Sequence, residues 1–441
     1  MDMETICKLI DDNDVQFIRL QFTDILGHLK NVAITKSQLE NAFNNKIMFD
    51  GSSIEGFVRI EESDMYLRPD LDTFVILPWR PSEERVARLI CDVYDPEGYP
   101  FQGDPRYQLK KALEEAEEMG YIFQVGAECE FFIFHTDESG MSTNITHDKS
   151  GYFDLEPIDL GGDIRREICL VLSKMGFEVE TSHHEVAVGQ HEVDFKYSNA
   201  LKAADNIMTF KLAVRAIAKK YGLCATFMPK PLEGENGSGL HINMSLMKDG
   251  QNIFYDRNDP KGNGLSQEAY YFISGIMEHI KAMTAINNPT VNSYKRLIKG
   301  YEAPVYICWS CKNRSPLIRV PASRGCATRV ELRSPDPTAN PYLVLAACLK
   351  AGLDGIKKCS EPPEQVSSNI FKMKKSERRK LGIDNLPDNL EKALKELKKD
   401  EVIKEAIGQH VLKCFLKLKK KELKEFRNNI AAWELNKYLN Y

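Results

Sequence analysis

The sequence has no apolar run long enough to cross a membrane. Stretches such as Tyr342–Leu349 fall far short of the ~20 residues a spanning helix needs. It has no strong excess of one charge either. Against 64 Asp/Glu stand 59 Lys/Arg, and a net −5 gives no general reason to bind nucleic acid or an anionic membrane. The opening MDMETICKLI is acidic and holds no apolar core of a secretion signal. The 11 cysteines are odd in number and irregularly spaced, which excludes a small disulfide scaffold and predicts reduced thiols in a cytoplasm. Repeats and low-complexity segments are also absent, as expected of a globular chain with 43% hydrophobic residues.

Several catalytic signatures are missing as well. No HExxH is present, which excludes a helical zinc-protease site. The Gly-rich loop Gly234–Gly239 lacks the GxxxxGK[ST] pattern of a P-loop. The single CxxC, Cys308 to Cys311, has no second pair to complete a zinc site, and turn chemistry follows it where a redox motif wants a helix.

What is present exceeds one core. A single hydrophobic core stops growing at roughly 250–300 residues, so 441 residues predict at least two domains. Residues 15–34 alternate as two strands around a turn at Asp24–Gly27, and further strands at Thr73–Pro78 and Ala87–Tyr94 give a small mixed sheet. Asp95–Pro100 reads as a linker, and Asp104-Pro105 as a helix start with its cap. The domains are therefore placed at 1–103 and 104–441. Helices are expected at Asp163–Met175, Asn199–Tyr221, Leu343–Leu353 and through the tail from Leu390 to Tyr438. From Phe371 onward, 19 basic residues face 11 acidic ones, which reads as solvated helix faces.

Carboxylates recur where the neighbours are apolar. Ala127–Phe134 reads as one strand, with Glu128 and Glu130 on the same face. Paired carboxylates there repel each other, and a divalent cation would remove that penalty. Glu185 and Glu192 flank Gly189, and a hairpin at the glycine would bring both to one site. In the strand after the Gly-rich loop, His241, Asn243 and Ser245 share a face. An arginine series, Arg314, Arg319, Arg324, Arg329 and Arg333, surrounds Glu331 and suits a polyphosphate or a dicarboxylate. Five Glu and one His form an oxygen-rich donor set suited to Mg²⁺ or Mn²⁺ rather than Zn²⁺. Together these features point to phosphoryl transfer from a nucleotide held without a P-loop.

The residues then identify a family. Phe49-Asp50-Gly51-Ser52-Ser53 with Glu62-Ser63-Asp64 resembles one signature of type I glutamine synthetase. Lys230-Pro231 with Asn236-Gly237-Ser238-Gly239-Leu240-His241 and Ser245 resembles the other. Asn287–Arg296 and Asn313–Arg319 extend the match, which runs nearly end to end. The resemblance implies an α+β chain with an N-terminal β-grasp domain. A larger catalytic domain of the glutamine synthetase/guanido kinase-like type follows, a funnel of antiparallel strands flanked by helices, ending in a helical tail. It implies a dodecamer of two hexameric rings in which each site lies between neighbours.

By the same resemblance, two or three Mg²⁺ or Mn²⁺ ions would be held by Glu130, Glu185 and Glu192 and by Glu128, His241 and Glu331. ATP would meet Asn243, Ser245, Arg319 and Arg329, and glutamate would meet Asn236, Gly237, Arg296 and Arg333. Ammonium would sit near Asp50, Ser53, Tyr152 and Glu185, with Asp50, Glu302 and Arg314 as the catalytic set. Arg59 would couple product glutamine to the flap carrying Glu302, giving feedback inhibition. Phe371 stands where adenylylated members have a tyrosine, which points to the non-adenylylated alpha-type branch and leaves room for nitrogen-regulatory protein partners. The expected reaction joins ammonium to the γ-carboxylate of glutamate through γ-glutamyl phosphate. Its rivals are a γ-glutamyl-amine ligase and a non-catalytic relative.

Overall fold

The computed structural model describes residues 1–57, 64–80, 83–311 and 313–441. Arg59, the expected regulatory residue, lies outside them. Five strands make the first sheet, in the order Leu29–Thr35, Val15–Thr23, Arg85–Tyr94, Asp64–Ile76 and Ile47–Asp50. Val15–Thr23 and Arg85–Tyr94 run parallel, and the other neighbours are antiparallel. Alternation works as the sequence suggests, with Ile18 and Leu20 buried. The helix Met3–Asp12, which hydrophobic patterning did not single out, buries Ile6 and Ile10 in the same core.

Polar contacts, among them the two that follow, tie this sheet to the rest of the chain. Arg106, on the helix Pro105–Glu118, is 2% exposed. It donates to Asp70 and Asp92 of the sheet at 2.6 Å each, and to Asp205 of the helix Ala200–Lys220 at 2.9 and 3.1 Å. One guanidinium thus answers three carboxylates, a geometry that only its forked donors can serve. At the other contact, Asn340 donates to the carbonyl oxygens of Asp24 and Ile25. The turn there passes so close that a Cβ on Gly27, at φ +85°, would lie 3.1 Å from Asn340 Cα.

The larger part holds two sheets. One runs Ser198–Asn199, Ile122–Cys129, Leu240–Lys248, Val330–Leu332, Ile318–Arg319 and Trp309–Ser310; the other runs Leu223–Thr226, Phe131–Thr136, Gln190–Phe195 and Val179–His184. This corrects the reading of Ala127–Phe134 as a single strand. The chain breaks at Glu130 and passes from one sheet to the other. At the break the Glu130 N–H donates to the Gly239 carbonyl at 3.1 Å, one rung further in the pairing with Leu240–Lys248, while its carboxylate accepts the Gly239 N–H at 2.7 Å.

Helices pack behind the sheets. Gln267–Asn287 carries apolar residues on nearly all sides and so showed no amphipathic stripe. It meets Pro341–Lys358 at a glycine crossing, where a Cβ on Gly275 would sit 2.1 Å from the Ala351 carbonyl oxygen. The tail is four helices, Leu390–Leu397, Glu401–Ile407, Gln409–Asn428 and Ala432–Tyr438, not one run. Asp400 caps the second, and Gly408, at φ +77°, separates it from the third. The spaced residues Leu394, Leu397, Ile403, Ile407, Val411 and Phe415 are nonetheless all buried. Cys308 is buried, its neighbours Trp309–Ser310 form a strand, and burial pushes its thiol up to about 12, which suits no redox motif.

His279 joins this tail to the helices. Its Nδ1 lies 2.8 Å from Asp400 and its Nε2 2.9 Å from Asp354. Burial works against the imidazolium, but the two carboxylates outweigh it and lift the pKa above its ordinary 6.5. A raised folded-state pKa gives stability that is complete below the unfolded value and fades as pH rises through the folded one. The stability gap between the native chain and His279→Gln is therefore expected to be wide at acidic pH and to narrow in alkali. Denaturant unfolding at the two pH values measures it; an equal gap at both would contradict the arrangement.

Candidate active site

Strand register builds the first cluster. His241 stands opposite Glu128, Asn243 stands opposite Glu331, and Arg319 faces Glu331 from the other side. His241 Nδ1 lies 3.1 Å from Glu128 Oε2, and Asn243 Nδ2 donates to Glu128 Oε1 at 2.9 Å. Glu331 is 0% exposed and accepts from Arg319 at 2.9 Å and from Arg333. Donor atoms of Glu128, His241 and Glu331 lie within 4.8 Å of one another. Burial pushes Glu128 up, but the hydrogen bond and charge of His241 outweigh it and hold the carboxyl down at about 2.

The hairpin builds the second cluster. Val179–His184 and Gln190–Phe195 pair antiparallel around Gly189, and the Glu185 N–H donates to the Gln190 carbonyl at 2.8 Å. Glu185 and Glu192 thereby flank one imidazole, with His183 Nδ1 at 3.4 Å from Glu185 and Nε2 at 3.3 Å from Glu192. Glu130 faces them, its Oε2 accepting from Gln190 Nε2 at 2.9 Å. Burial, then the charges of Glu130 and Glu192, push Glu185 up to about 8. Burial and Glu130 also raise Glu192 well above its ordinary value. Such carboxylates keep protons at neutral pH or need a cation.

A cavity of about 30 Å³ lies among Glu130, Glu185, His241, Glu302 and Arg333, with Asn236, Gly237 and Arg296 completing its wall. Arg296 is braced by the carbonyl oxygens of Ser334 and Arg333 at 2.7 and 3.2 Å. The loop passes so tightly here that a Cβ on Gly239 would come within 2.7 Å of Arg296 Nη2. A larger cavity, about 370 Å³, adjoins Glu128 and is lined by Asn243, Ser245 and Arg329. Arg329 Nε donates to Asn243 Oδ1 at 2.9 Å, so Asn243 links Arg329 to Glu128.

Other expected residues stand apart. Asp50 is exposed, and hydrogen bonds from Ser52 and Ser53 hold its carboxyl below the ordinary 3.8. Among the described residues neither it nor Ser53 lines either cavity of its own chain. Arg314 is exposed and lines neither. Tyr152 is exposed, but its ring meets His183 edge-on at 5.7 Å, which places it beside the hairpin. Sequence reading missed His183 and Gln190 as contacts of the glutamates. The doubled His-Glu at 184–185 and 191–192 was a usable signal, because it marks equivalent places on two strands.

Comparisons with known proteins give the family. The family model "Glutamine synthetase, catalytic domain" matches residues 102–438, and "Glutamine synthetase, beta-Grasp domain" matches residues 14–96. A glutamine synthetase of Clostridium saccharobutylicum is 61% identical over 99% of this chain and 98% of its own length. One of Staphylococcus aureus is 56% identical over the same shares. Among solved structures, a GmaS/ADP complex superposes with TM-score 0.89 at 32% identity, covering 99% of each chain. The Plasmodium falciparum glutamine synthetase does so with TM-score 0.87 at 28% identity, again over 99% of each. With both family models matched and both domains in place, the chain belongs to the glutamine synthetase family and is an ATP- and divalent-cation-dependent ligase that forms glutamine.

Proposed function

We propose that the two carboxylate clusters hold the reacting groups of glutamate and ATP, and that a neighbouring copy of the chain completes the site. The observation that carries this reading is a pair of donor groups, Glu128, His241 and Glu331 in one and His183, Glu185 and Glu192 in the other, beside a small cavity lined by Glu130, Glu185, His241, Arg296 and Arg333. The donor set fits two or three hard cations. Oxygen predominates, and the raised pKa values of Glu185 and Glu192 record a repulsion that a cation would relieve. Mg²⁺ or Mn²⁺ suits such donors, and when bound it would neutralise charge on the phosphoryl group in flight.

The chain's own residues do the rest. Asn243, Ser245 and Arg329 line the larger cavity and are the nucleotide contacts of this reading. Arg319 leaves Glu331 to meet the phosphates, adding the charge that a transferring phosphoryl group requires. Arg296 and Arg333, with Asn236 and Gly237, orient glutamate so that its γ-carboxylate attacks and becomes γ-glutamyl phosphate. Asp50 stays ionised because Ser52 and Ser53 favour its charged form, so it attracts ammonium and takes a proton as the nitrogen attacks. Ser53 and Tyr152 line the ammonium path with Glu185. Glu302, exposed at the rim of the small cavity, closes over the acyl phosphate and excludes water. Arg314, also exposed, is assigned to the charged intermediate in the closed form.

Assembly supplies what one chain lacks. Asp50 and Ser53 of one subunit would cover the cavity of the next, in rings of six. Two apolar surfaces support this: Leu155, 81% exposed, in the segment before the helix Gly162–Lys174, and Trp433 and Leu439, 63% and 74% exposed, in the tail. The tail would dock on a second ring, giving a dodecamer. Domain limits at 1–103 and 104–441 and a cytoplasmic location complete the proposal.

Asp50→Ala is expected to bind ATP normally yet lose ~10²–10⁴-fold in glutamine formation, the usual worth of a general base. Calorimetry with ATP and a coupled turnover assay measure the two, and near-native turnover would remove Asp50 from the mechanism. Glu302→Ala is expected to release more ADP per glutamine formed, because the acyl phosphate meets water. Parallel assays of ADP and glutamine test it, and an unchanged ratio would overturn the flap role.

A further inference from the structure

Behind the hairpin lies an internal polar network that the roles above leave unused. His184 and His191 are register partners on its two strands, both wholly buried, and each directly precedes a glutamate assigned to the cation. Their rings meet edge to face at 4.8 Å. His184 Nδ1 lies 2.6 Å from the backbone carbonyl oxygen of Glu185, and its Nε2 lies 2.9 Å from Asp148 Oδ1. The same Asp148 oxygen accepts the Gly189 N–H at 3.0 Å, so one carboxylate oxygen holds both the arm and the turn. On the second strand, Arg165 Nη1 lies 2.9 Å from His191 Nδ1, and Asp159 in turn grips the guanidinium.

Three observations separate this network from ordinary core packing. First, buried ionic groups are often no more stabilising than apolar side chains of similar volume. A core that only had to fold would not need five of them here. Second, the network is incompletely satisfied: Asp148 Oδ2 and His191 Nε2 are buried without a protein partner. Third, its contacts fall on Glu185 itself, on the turn glycine and on the residue before Glu192. Because successive strand side chains point to opposite faces, fixing His191 from behind sets where Glu192 points in front.

Asp148, His184 and His191 are also close enough together to ligate an ion themselves. Arg165 argues against that. A guanidinium only donates, so His191 Nδ1 accepts and its Nε2 carries the hydrogen, leaving no free lone pair on that ring.

The geometry points to Asp148, His184, His191 and Arg165 as positioning residues that brace the hairpin so that Glu185 and Glu192 converge on one cation despite their mutual repulsion. This rests on the cation reading of those glutamates. The general pattern is that groups behind the ligands of a metal orient them, and their loss typically weakens metal binding by ~10–100-fold.

The test uses the full-length protein and Mn²⁺ as the probe. Binding is read directly from the electron paramagnetic resonance signal of free Mn²⁺, beside the Mn²⁺ activation curve and the KM for ATP. Asp148→Ala is expected to weaken Mn²⁺ binding by ~10–100-fold while KM for ATP at saturating Mn²⁺ stays within about threefold. Asp148→Asn keeps an acceptor oxygen for Gly189 and is expected to restore most of the affinity. Should Asp148→Ala not fold, Arg165→Lys serves instead. It keeps the charge beside Asp159 but cannot fork to His191, and the same loss is expected. Glu185→Gln and Glu192→Gln provide the control. If they bind Mn²⁺ weakly while folded Asp148→Ala or Arg165→Lys binds it like the native chain, the bracing role is overturned. If the glutamate variants themselves bind Mn²⁺ normally, the ligand reading falls, and this inference falls with it.

Discussion

Mutual repulsion among buried carboxylates is the constraint around which this molecule is organised. Glu130 and Glu185 line one small cavity, and the charges of Glu130 and Glu192, with burial, push Glu185 up. Left alone, each would turn outward. The fold prevents this by fixing the backbone on both sides. Glu130 sits at the break between two sheets, where Gly239 accepts from its amide and donates to its carboxylate. Glu185 and Glu192 sit on a hairpin held at the turn and from behind. The neighbouring cluster is handled differently, with His241 beside Glu128 and two arginines on Glu331. Glu128 and Glu331 thus have cationic partners within the chain, whereas burial and neighbouring glutamates raise Glu185 and Glu192.

A second constraint acts between the two parts of the chain. The first sheet is held by Arg106 across three aspartates and by Asn340 at the Asp24 turn. The loop from Asp50 to Ser53 lines neither cavity of the candidate site in its own chain. In the proposed assembly a neighbouring copy would receive that loop. The exposed apolar segments near Leu155 and Trp433 are what assembly would cover.

Legibility in the sequence followed the range of the interactions. Residues two apart on a strand, such as His241 and Asn243, were readable because alternation is local. The hairpin at Gly189 was readable for the same reason. The break at Glu130 was not, because the local pattern looks like an unbroken strand and the partner of its carboxylate, Gly239, lies more than a hundred positions away. The helix Gln267–Asn287 was overlooked because full burial erases the stripe that reveals a helix. The tail's apolar spacing was right about burial but silent on its breaks, which depend on the cap at Asp400 and the left-handed Gly408. Residue roles in the site came from the family signatures, since spacing alone cannot say which of many glutamates meet.

On the cation reading of Glu185 and Glu192, a divalent ion must displace protons from these buried carboxylates as it binds. Calorimetric titration with Mn²⁺ at pH 7, repeated in buffers of different ionisation enthalpy, counts those protons directly. With Glu185 held at about 8, roughly one proton or more should leave per site on binding, and the release should diminish in Glu185→Gln. Binding with no proton release at pH 7 would contradict the account.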